Sequence, residues 1–167
     1  MALNTFHSRY DVCRTLHLPG IPCVVWGQDA LVNYGSNGAL GSLHLLVSSV
    51  DEAADVLVHL GWRSIDTLHD DQTGDGTYCS SMPTTSVRRL FPPDAPSVYE
   101  VTPQPKLVLQ AAAYWQVPLQ VLAQDGFIPP LATLVDSLIK ALLDTPDGTH
   151  LHLTLKRYVK DLYSPAI

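Results

Sequence analysis

The sequence predicts an α/β domain: a small mixed β-sheet flanked by helices, with C-terminal helices packed across it. Two observations predict this class. Between residues 23 and 66, short apolar runs alternate with helical patterns in the order strand, helix, strand, helix, strand. Two longer amphipathic helical patterns then fill the last third of the chain. We treat 1–167 as a single domain, with a sheet-containing core at 1–110 and a mainly helical part at 111–167.

The first elements are a helix, a strand and a second helix. A helical face that ends before Leu18-Pro19-Gly20 is formed by residues at three- and four-residue steps: Leu3, Phe6, Tyr10 and Cys13. The apolar run CVVW at 23–26, bounded by Pro22 and Gly27, predicts a buried strand. That strand leads directly into the helix QDALVNY.

A glycine-rich turn separates this helix from the second strand, LHLLV at 43–47. Ser49 is the expected N-cap of the next helix, because acidic residues follow it in the first turn. Gly61 should end that helix, and WRSID at 62–66 predicts a third strand.

The second half of the chain begins with a polar stretch. Residues 67–86 contain an Asp-Gly turn signal and predict a hairpin excursion or a mobile lid, while VRRLF (87–91) and VYEV (98–101) predict strands. Pro129-Pro130 should open a long helix. The expected buried face of that helix is Leu131, Leu134, Val135, Leu138 and Leu142, and that of the last helix is Leu151, Leu155, Tyr158, Val159 and Leu162.

Composition excludes several classes of protein. The net charge is -6 and no run of Lys and Arg forms a basic stripe, so we expect no nucleic-acid partner. The three cysteines lack CxxC spacing, which favours free thiols in a reducing compartment and hence a cytoplasmic location. Charges interrupt the first residues and no apolar run reaches membrane-spanning length, so we expect neither a targeting signal nor a membrane anchor.

The stretch VVWGQDALVNYG at 24–35 resembles the first strand and helix of the nucleotidyltransferase superfamily. The frame of that superfamily is a strand, a glycine-containing turn, a short helix, and a second strand carrying two acids as DxD. More narrowly, the chain is similar to a family of small fungal nucleotidyltransferase-like proteins. Three parts carry this similarity: IPCVVWGQDALVNYG, LLVSSVDEAADVLVHLGWRS, and FIPPLATLVDSLIKALLDTPDG with a final YVKDLY. The resemblance implies a sheet of nucleotidyltransferase type.

The residues at the DxD positions differ from those of the superfamily. Two-residue spacing places positions 42 and 44 on one face of the strand, where the superfamily binds two metal ions through carboxylates. Here these positions hold Ser42 and His44. A hydroxyl and an imidazole do not replace two anionic oxygens as ligands of Mg²⁺. We therefore expect neither a metal site nor a cofactor.

His44 is then the candidate catalytic residue, because histidine exchanges a proton near neutral pH. Asp29 and Tyr34 are the candidates to assist it. Arg88 and Arg89 fall on opposite faces of a strand, so only one of them can enter a pocket. The candidate ligand-binding residues are Trp26, Gln28, Ser42, Arg88, Tyr99 and Glu100. For each of them the alternative is an ordinary structural role: a bystander histidine, a helix-end carboxylate, a core aromatic or a surface ion pair.

The function expected from these residues is metal-independent acid–base chemistry on a small apolar metabolite. Isomerisation or intramolecular cyclisation in fungal secondary metabolism would need only positioned acid and base groups in a dry cavity. Two alternatives stay open: a non-catalytic module that binds a ligand or another protein, and a residual Mg²⁺-dependent nucleotidyltransferase that draws its acids from Glu100, Asp66 and Asp29.

Overall fold

The computed structural model describes residues 9–38, 40–65, 82–93, 107–119 and 127–163. These residues form a five-stranded mixed sheet with flanking helices. The strands are β1 (Cys23–Trp26), β2 (Leu43–Val47), β3 (Arg63–Ile65), β4 (Val87–Phe91) and β5 (Leu107–Ala111). The helices are α1 (Asp11–His17), α2 (Gln28–Asn33), α3 (Val50–His59), α4 (Leu131–Asp144) and α5 (His150–Tyr163), and short 3₁₀ turns cover Thr84–Ser86 and Ala112–Trp115.

The strand order is β1-β2-β5-β4-β3. β2 pairs with β5 in parallel, and the other three pairings are antiparallel, which makes the sheet mixed as predicted. β5 is the central strand, and it was not predicted from the sequence. Its residues, LVLQA, form a short buried run without polar alternation, and periodicity alone does not separate such a run from a helix segment.

The other predicted strands compare well with the structure. The runs at 23–26, 43–47 and 87–91 are strands with the predicted bounds, and the third strand is shorter than predicted, at 63–65. The predicted strand 98–101 lies outside the described residues, as do most of the predicted lid at 67–86 and the first part of the predicted N-terminal helix.

The helix boundaries follow the predicted signals. The Ser49 hydroxyl accepts a hydrogen bond from the Glu52 amide, which confirms it as the N-cap of α3. Gly61 follows the end of α3 with a φ of +96°, a conformation that favours glycine. α4 begins directly after Pro130. Within α4, however, Leu131 is 44% exposed and Ser137 is buried, so the buried face is rotated from the predicted one.

Helices cover both faces of the sheet. Because side chains alternate along a strand, Cys23 and Val25 point to the face opposite Trp26. The Cys23 thiol lies against the α1 backbone at the Cys13 carbonyl oxygen, which places α1 on the Cys23 face. Trp115 of the second 3₁₀ turn packs on Trp26, so that turn lies on the other face.

The two long C-terminal helices pack against each other, and α5 brings Tyr158 to the Trp26 face of the sheet. Every residue of β1 and β2 is buried, as expected for strands covered on both faces. In the described part of the chain, no helix has the length and apolarity needed to cross a membrane.

Candidate functional site

One row of side chains crosses the sheet on the Trp26 face. Trp26 of β1 pairs with His44 of β2, His44 with Val108 of β5, and Val108 with Arg89 of β4, and strand partners share a face. His44 is 5% exposed and Arg89 is 3% exposed. The strand pairings therefore place a buried imidazole and a buried guanidinium on one face, about 10 Å apart at the strand spacing.

A chain of hydrogen bonds sets the tautomer of the neutral His44 ring. The Trp115 Nε1–H group donates to Gln110 Oε1 at 2.8 Å, and Gln110 Nε2 lies 2.6 Å from His44 Nδ1. An indole nitrogen only donates, so the Gln110 oxygen must face Trp115 and its NH₂ group must face His44. That NH₂ group only donates as well. His44 Nδ1 is therefore the acceptor, and the proton of the neutral ring lies on Nε2.

Two tryptophans line this face. The rings of Trp26 and Trp115 are 5.5 Å apart between centroids and tilted by 54°. Trp26 is fully buried, and its Nε1–H group has no hydrogen-bond acceptor among the described residues. A buried donor without an acceptor costs about 1–3 kcal/mol. The row thus holds, on the strand next to His44, a buried donor that no described residue satisfies.

Gly27 lies between the ring of His44 and the hydroxyl of Tyr158. A Cβ atom at position 27 would be 3.6 Å from the Tyr158 oxygen and 3.8 Å from His44 Cβ and Cγ. Gly27 has φ +65° and ψ −138°, a conformation that essentially only glycine adopts. It is the N-cap position of α2, so the strand can end and the helix begin beside His44.

Ser42 and His44, the residues compared above with the two acids of a DxD motif, do not fit Mg²⁺. His44 is held by Gln110 through Nδ1, and Ser42 is a neutral residue directly before β2. No group of three or more His, Cys, Asp or Glu side chains in the described ranges is arranged to hold a metal ion. The donor set that nucleotidyl transfer requires is not formed by these residues.

Asp29 belongs to a separate network. Its Oδ2 accepts from Arg9 Nε at 2.7 Å and from the Tyr10 hydroxyl at 2.8 Å, and its Oδ1 accepts from Arg9 Nη2 at 2.8 Å. Arg9 Nη2 also donates to the Gly41 carbonyl at 2.7 Å. Asp29 is 2% exposed. The carboxylate therefore joins the segment before α1 to the start of α2 and to the glycine-rich turn.

Burial and this network shift two pKa values. Burial of Tyr10, together with its hydrogen bond to Asp29, raises the pKa of its hydroxyl to about 12. For Arg9, desolvation lowers the pKa, but the hydrogen bond and the charge of Asp29 outweigh it and raise the value overall. Both shifts favour the bonded arrangement, with neutral Tyr10 and charged Arg9.

Two predicted site residues hold the local backbone. The Tyr34 hydroxyl donates to the Pro129 carbonyl, which connects the end of α2 to the start of α4. Gln28 Nε2 donates to the Ser36 hydroxyl at 3.2 Å, and the same hydroxyl accepts from the Gly38 amide. The side chain of Gln28 lies so close to Gly38 that any Cβ there would clash with its amide. Gln28 therefore shapes the glycine-rich turn.

Arg88, the arginine predicted to bind a ligand, lies on the face of the sheet opposite that of His44. Arg88 is adjacent in sequence to Arg89 and bonds Asp51 of α3. The arginine that shares the face of His44 is Arg89. Ser42 is half-buried directly before β2, whereas Tyr99 and Glu100 lie outside the described residues. Of the predicted site residues, the structure brings together Trp26 and His44.

The residues that hold His44 in place were not predicted from the sequence. Gln110 and Trp115 lie on and after β5, the strand that was not predicted. A polar residue inside an apolar run, as in LVLQA, is the signal that was available for Gln110. Arg9 and Tyr10 were not expected to bind Asp29, because contacts across 20 and 19 residues leave no mark in local spacing.

The cysteines that are described are free thiols, as predicted. Cys13 and Cys23 are both buried, at 0% and 1% exposure. A hydrogen bond with Cys23, followed by burial, raises the pKa of the Cys13 thiol. The thiolate is the reactive form of cysteine, so Cys13 is a core residue and not a nucleophile.

Comparison with known proteins does not assign a family. No protein-family model matches the chain, and no curated protein is significantly similar to it in sequence.

Proposed function

We propose that the protein performs metal-independent acid–base chemistry on a small apolar molecule, with His44 as the catalytic residue. The sheet is of nucleotidyltransferase type in this proposal, with the two metal-binding acids replaced by Ser42 and His44. The observation that carries the proposal is the hydrogen-bond chain from Trp115 through Gln110 to His44.

This hydrogen-bond chain supports one role for His44 in the proposed reaction, that of a hydrogen-bond donor through Nε2. With Nδ1 held as an acceptor, the neutral ring offers its proton at Nε2. His44 then donates a hydrogen bond from Nε2 to the carbonyl oxygen of the substrate and keeps its proton, while solvent water removes the α-hydrogen and later returns a proton to the same carbon. A neutral imidazole in this role stabilises the negative charge that develops on a substrate oxygen during enolisation.

The surroundings of His44 support a substrate that is mainly apolar. Trp26 and Trp115 are buried aromatic side chains on the same face of the sheet, and low polarity strengthens each hydrogen bond made there. The indole N–H of Trp26 has no acceptor among the described residues, so a substrate oxygen would satisfy it. These contacts favour a small molecule with one carbonyl or hydroxyl oxygen on an apolar body.

Hydrogen exchange into a model ketone tests the proposal. We would incubate the protein with 2-tetralone, an apolar ketone with acidic α-hydrogens, in D₂O and follow deuterium uptake by NMR. The wild type should accelerate uptake, and His44→Ala should lower the protein-dependent rate about 100-fold or more, since general acid–base catalysis contributes about 10²–10⁴. His59→Ala removes an exposed histidine at the end of α3 and should leave the rate unchanged.

A His44→Ala variant with the wild-type rate would contradict the role of His44. The competing function is tested separately, by calorimetric titration with each common nucleoside triphosphate, with and without Mg²⁺. We expect no Mg²⁺-dependent binding, because Ser42 and His44 do not supply carboxylates. Binding that requires Mg²⁺ would restore nucleotidyl transfer as the function.

A further inference from the structure

We propose that a groove between α1 and α2 is a second binding site, which takes a small carboxylate with an apolar body. The groove includes Val25, whose side chain lies on the opposite face of β1 from Trp26. The groove is therefore separate from the row of side chains that contains Trp26 and His44, called here the His44 row. Binding in the groove does not depend on the acid–base function.

The groove has the size of a small-molecule site. Its volume is about 510 Å³, within the range of about 300–1,000 Å³ that such pockets occupy. Four apolar side chains line it: Val25 from β1, Val32 from α2, and Phe127 and Ile128 from the segment before α4. The Val25 amide donates to the Phe127 carbonyl at 2.6 Å, which fixes that segment along the edge of β1. The Phe127–Ile128 segment therefore forms a wall of the groove that is hydrogen-bonded to the sheet.

The charges that line the groove favour an anion. Asp29 is neutralised by Arg9, which binds both of its oxygens. Tyr10, also in the lining, donates to the same carboxylate. Arg14 of α1 lines the groove with a side chain that is 67% exposed, and its ion pair with Asp11 is long, at 3.9 Å. The guanidinium of Arg14 is therefore the charge most available to a ligand.

The exposed polar residues of the groove border its open side, where the carboxylate of a bound ligand would lie. Arg14 and Asn33 are both exposed lining residues, one from each helix, so both border its open side. The guanidinium of Arg14 matches a carboxylate with two parallel N–H groups, and the Asn33 amide can donate to the same oxygens. An apolar body would then contact Val25, Val32 and Phe127. This arrangement selects a carboxylate over an amine of the same shape.

Titration with 3-phenylpropionate, followed by amide shifts in ¹H–¹⁵N spectra, tests this site. We expect shifts in the segments that line the groove, including Val25, Val32 and Asn33. The neutral isostere 3-phenylpropanamide should bind more weakly, and 3-phenylpropylamine more weakly still. His44→Ala should leave the affinity for 3-phenylpropionate unchanged, which separates this site from the proposed catalytic one.

Variants of Arg14 and of its partner Asp11 should change the affinity for the carboxylate in opposite directions. Arg14→Gln should weaken binding of the carboxylate roughly three- to tenfold and leave binding of the amide unchanged, as expected for a partly exposed charge pair. Asp11→Asn removes the competing partner of Arg14 and should tighten carboxylate binding. Lys156→Gln removes an exposed positive charge on α5 and should change neither affinity. Val32→Trp should fill the groove and abolish binding of both ligands.

Three results would overturn the proposal. One is the absence of any shift at millimolar 3-phenylpropionate, and another is equal affinity for the carboxylate and the amide. The third is a set of shifts confined to the His44 row, with Arg14→Gln binding as the wild type does. Because Arg14 and Asp11 are surface residues, their variants should fold even if Val32→Trp does not.

Discussion

Trp115 donates its indole proton to the amide oxygen of Gln110, at 2.8 Å, inside the protein core. This bond has an effect beyond the two residues, because it orients the Gln110 amide toward His44. The His44 imidazole, on β2, is then restricted to one tautomer. Without Trp115, the Gln110 amide could turn over and offer its oxygen to His44 instead.

Gln110→Leu should destabilise the protein by about 2–4 kcal/mol. The substitution is close in volume, but it removes the bonds that Gln110 makes to Trp115 and to His44, and each lost bond to a buried group costs about 1–3 kcal/mol. Urea denaturation measures the change in the free energy of unfolding. A change below about 0.5 kcal/mol would show that the hydrogen-bond chain contributes little to the folded state.

Gly27→Ala should destabilise the protein by about 1–3 kcal/mol, because alanine is strained at φ +65° and ψ −138°. The new methyl group would also contact the Tyr158 hydroxyl and the His44 ring. Gly41→Ala is the matched control. A Cβ at position 41 meets no atom within 4 Å, and Gly41 is not among the glycines with positive φ. Its substitution should be neutral or slightly stabilising. Equal thermal midpoints for the two variants would contradict this explanation.

Asp29→Asn should destabilise the protein by about 3–5 kcal/mol, because it leaves the guanidinium of Arg9 largely buried without its carboxylate. Asp136→Asn breaks an exposed ion pair with Lys140 on α4 and should cost less than about 1 kcal/mol. The free energies of unfolding of both variants, measured under the same conditions, test the difference. If Asp29→Asn lowers the free energy of unfolding only mildly, the structural role is contradicted and Asp29 is again a candidate for direct contact with a ligand.

Stability should fall between about pH 10 and pH 12 because of Tyr10. Its pKa is 10.0 in the unfolded chain and about 12 in the folded protein. The neutral hydroxyl therefore stabilises the fold fully below pH 10, and this contribution is lost as the pH rises through 12. Tyr10→Phe should make the decline between pH 10 and 12 shallower, whereas Tyr163→Phe, at a 72% exposed position, should not. Identical pH profiles for wild type and Tyr10→Phe would contradict the assignment.

Local signals in the sequence were sufficient for much of the fold. The strands at 23–26, 43–47 and 87–91 were predicted with their observed bounds, because proline, glycine and polar residues delimit each apolar run. The N-cap at Ser49 and the start of α4 after Pro130 were predicted for the same reason. Each of these features depends on residues that are neighbours in the chain.

The residues that surround His44 depend on pairing between distant strands. β5 joins β2 across more than 60 residues and brings Gln110 to His44, a contact that no local pattern encodes. The choice between Arg88 and Arg89 needed the register of β4 against β5, because a shift of one residue exchanges the two faces. Asp29 was recognised as a polar residue at a helix start, but its partner Arg9 is set by the packing of α1.

The protonation of His44 tests the central claim most directly. Long-range ¹H–¹⁵N spectra of histidine-labelled protein distinguish the two neutral tautomers in the wild type and in Gln110→Glu. We expect the proton on Nε2 in the wild type. In Gln110→Glu it should also be present on Nδ1, since a carboxylate accepts from both Trp115 and His44. A proton on Nδ1 in the wild type, or no difference between the two proteins, would contradict the claim that Gln110 sets the tautomer of His44.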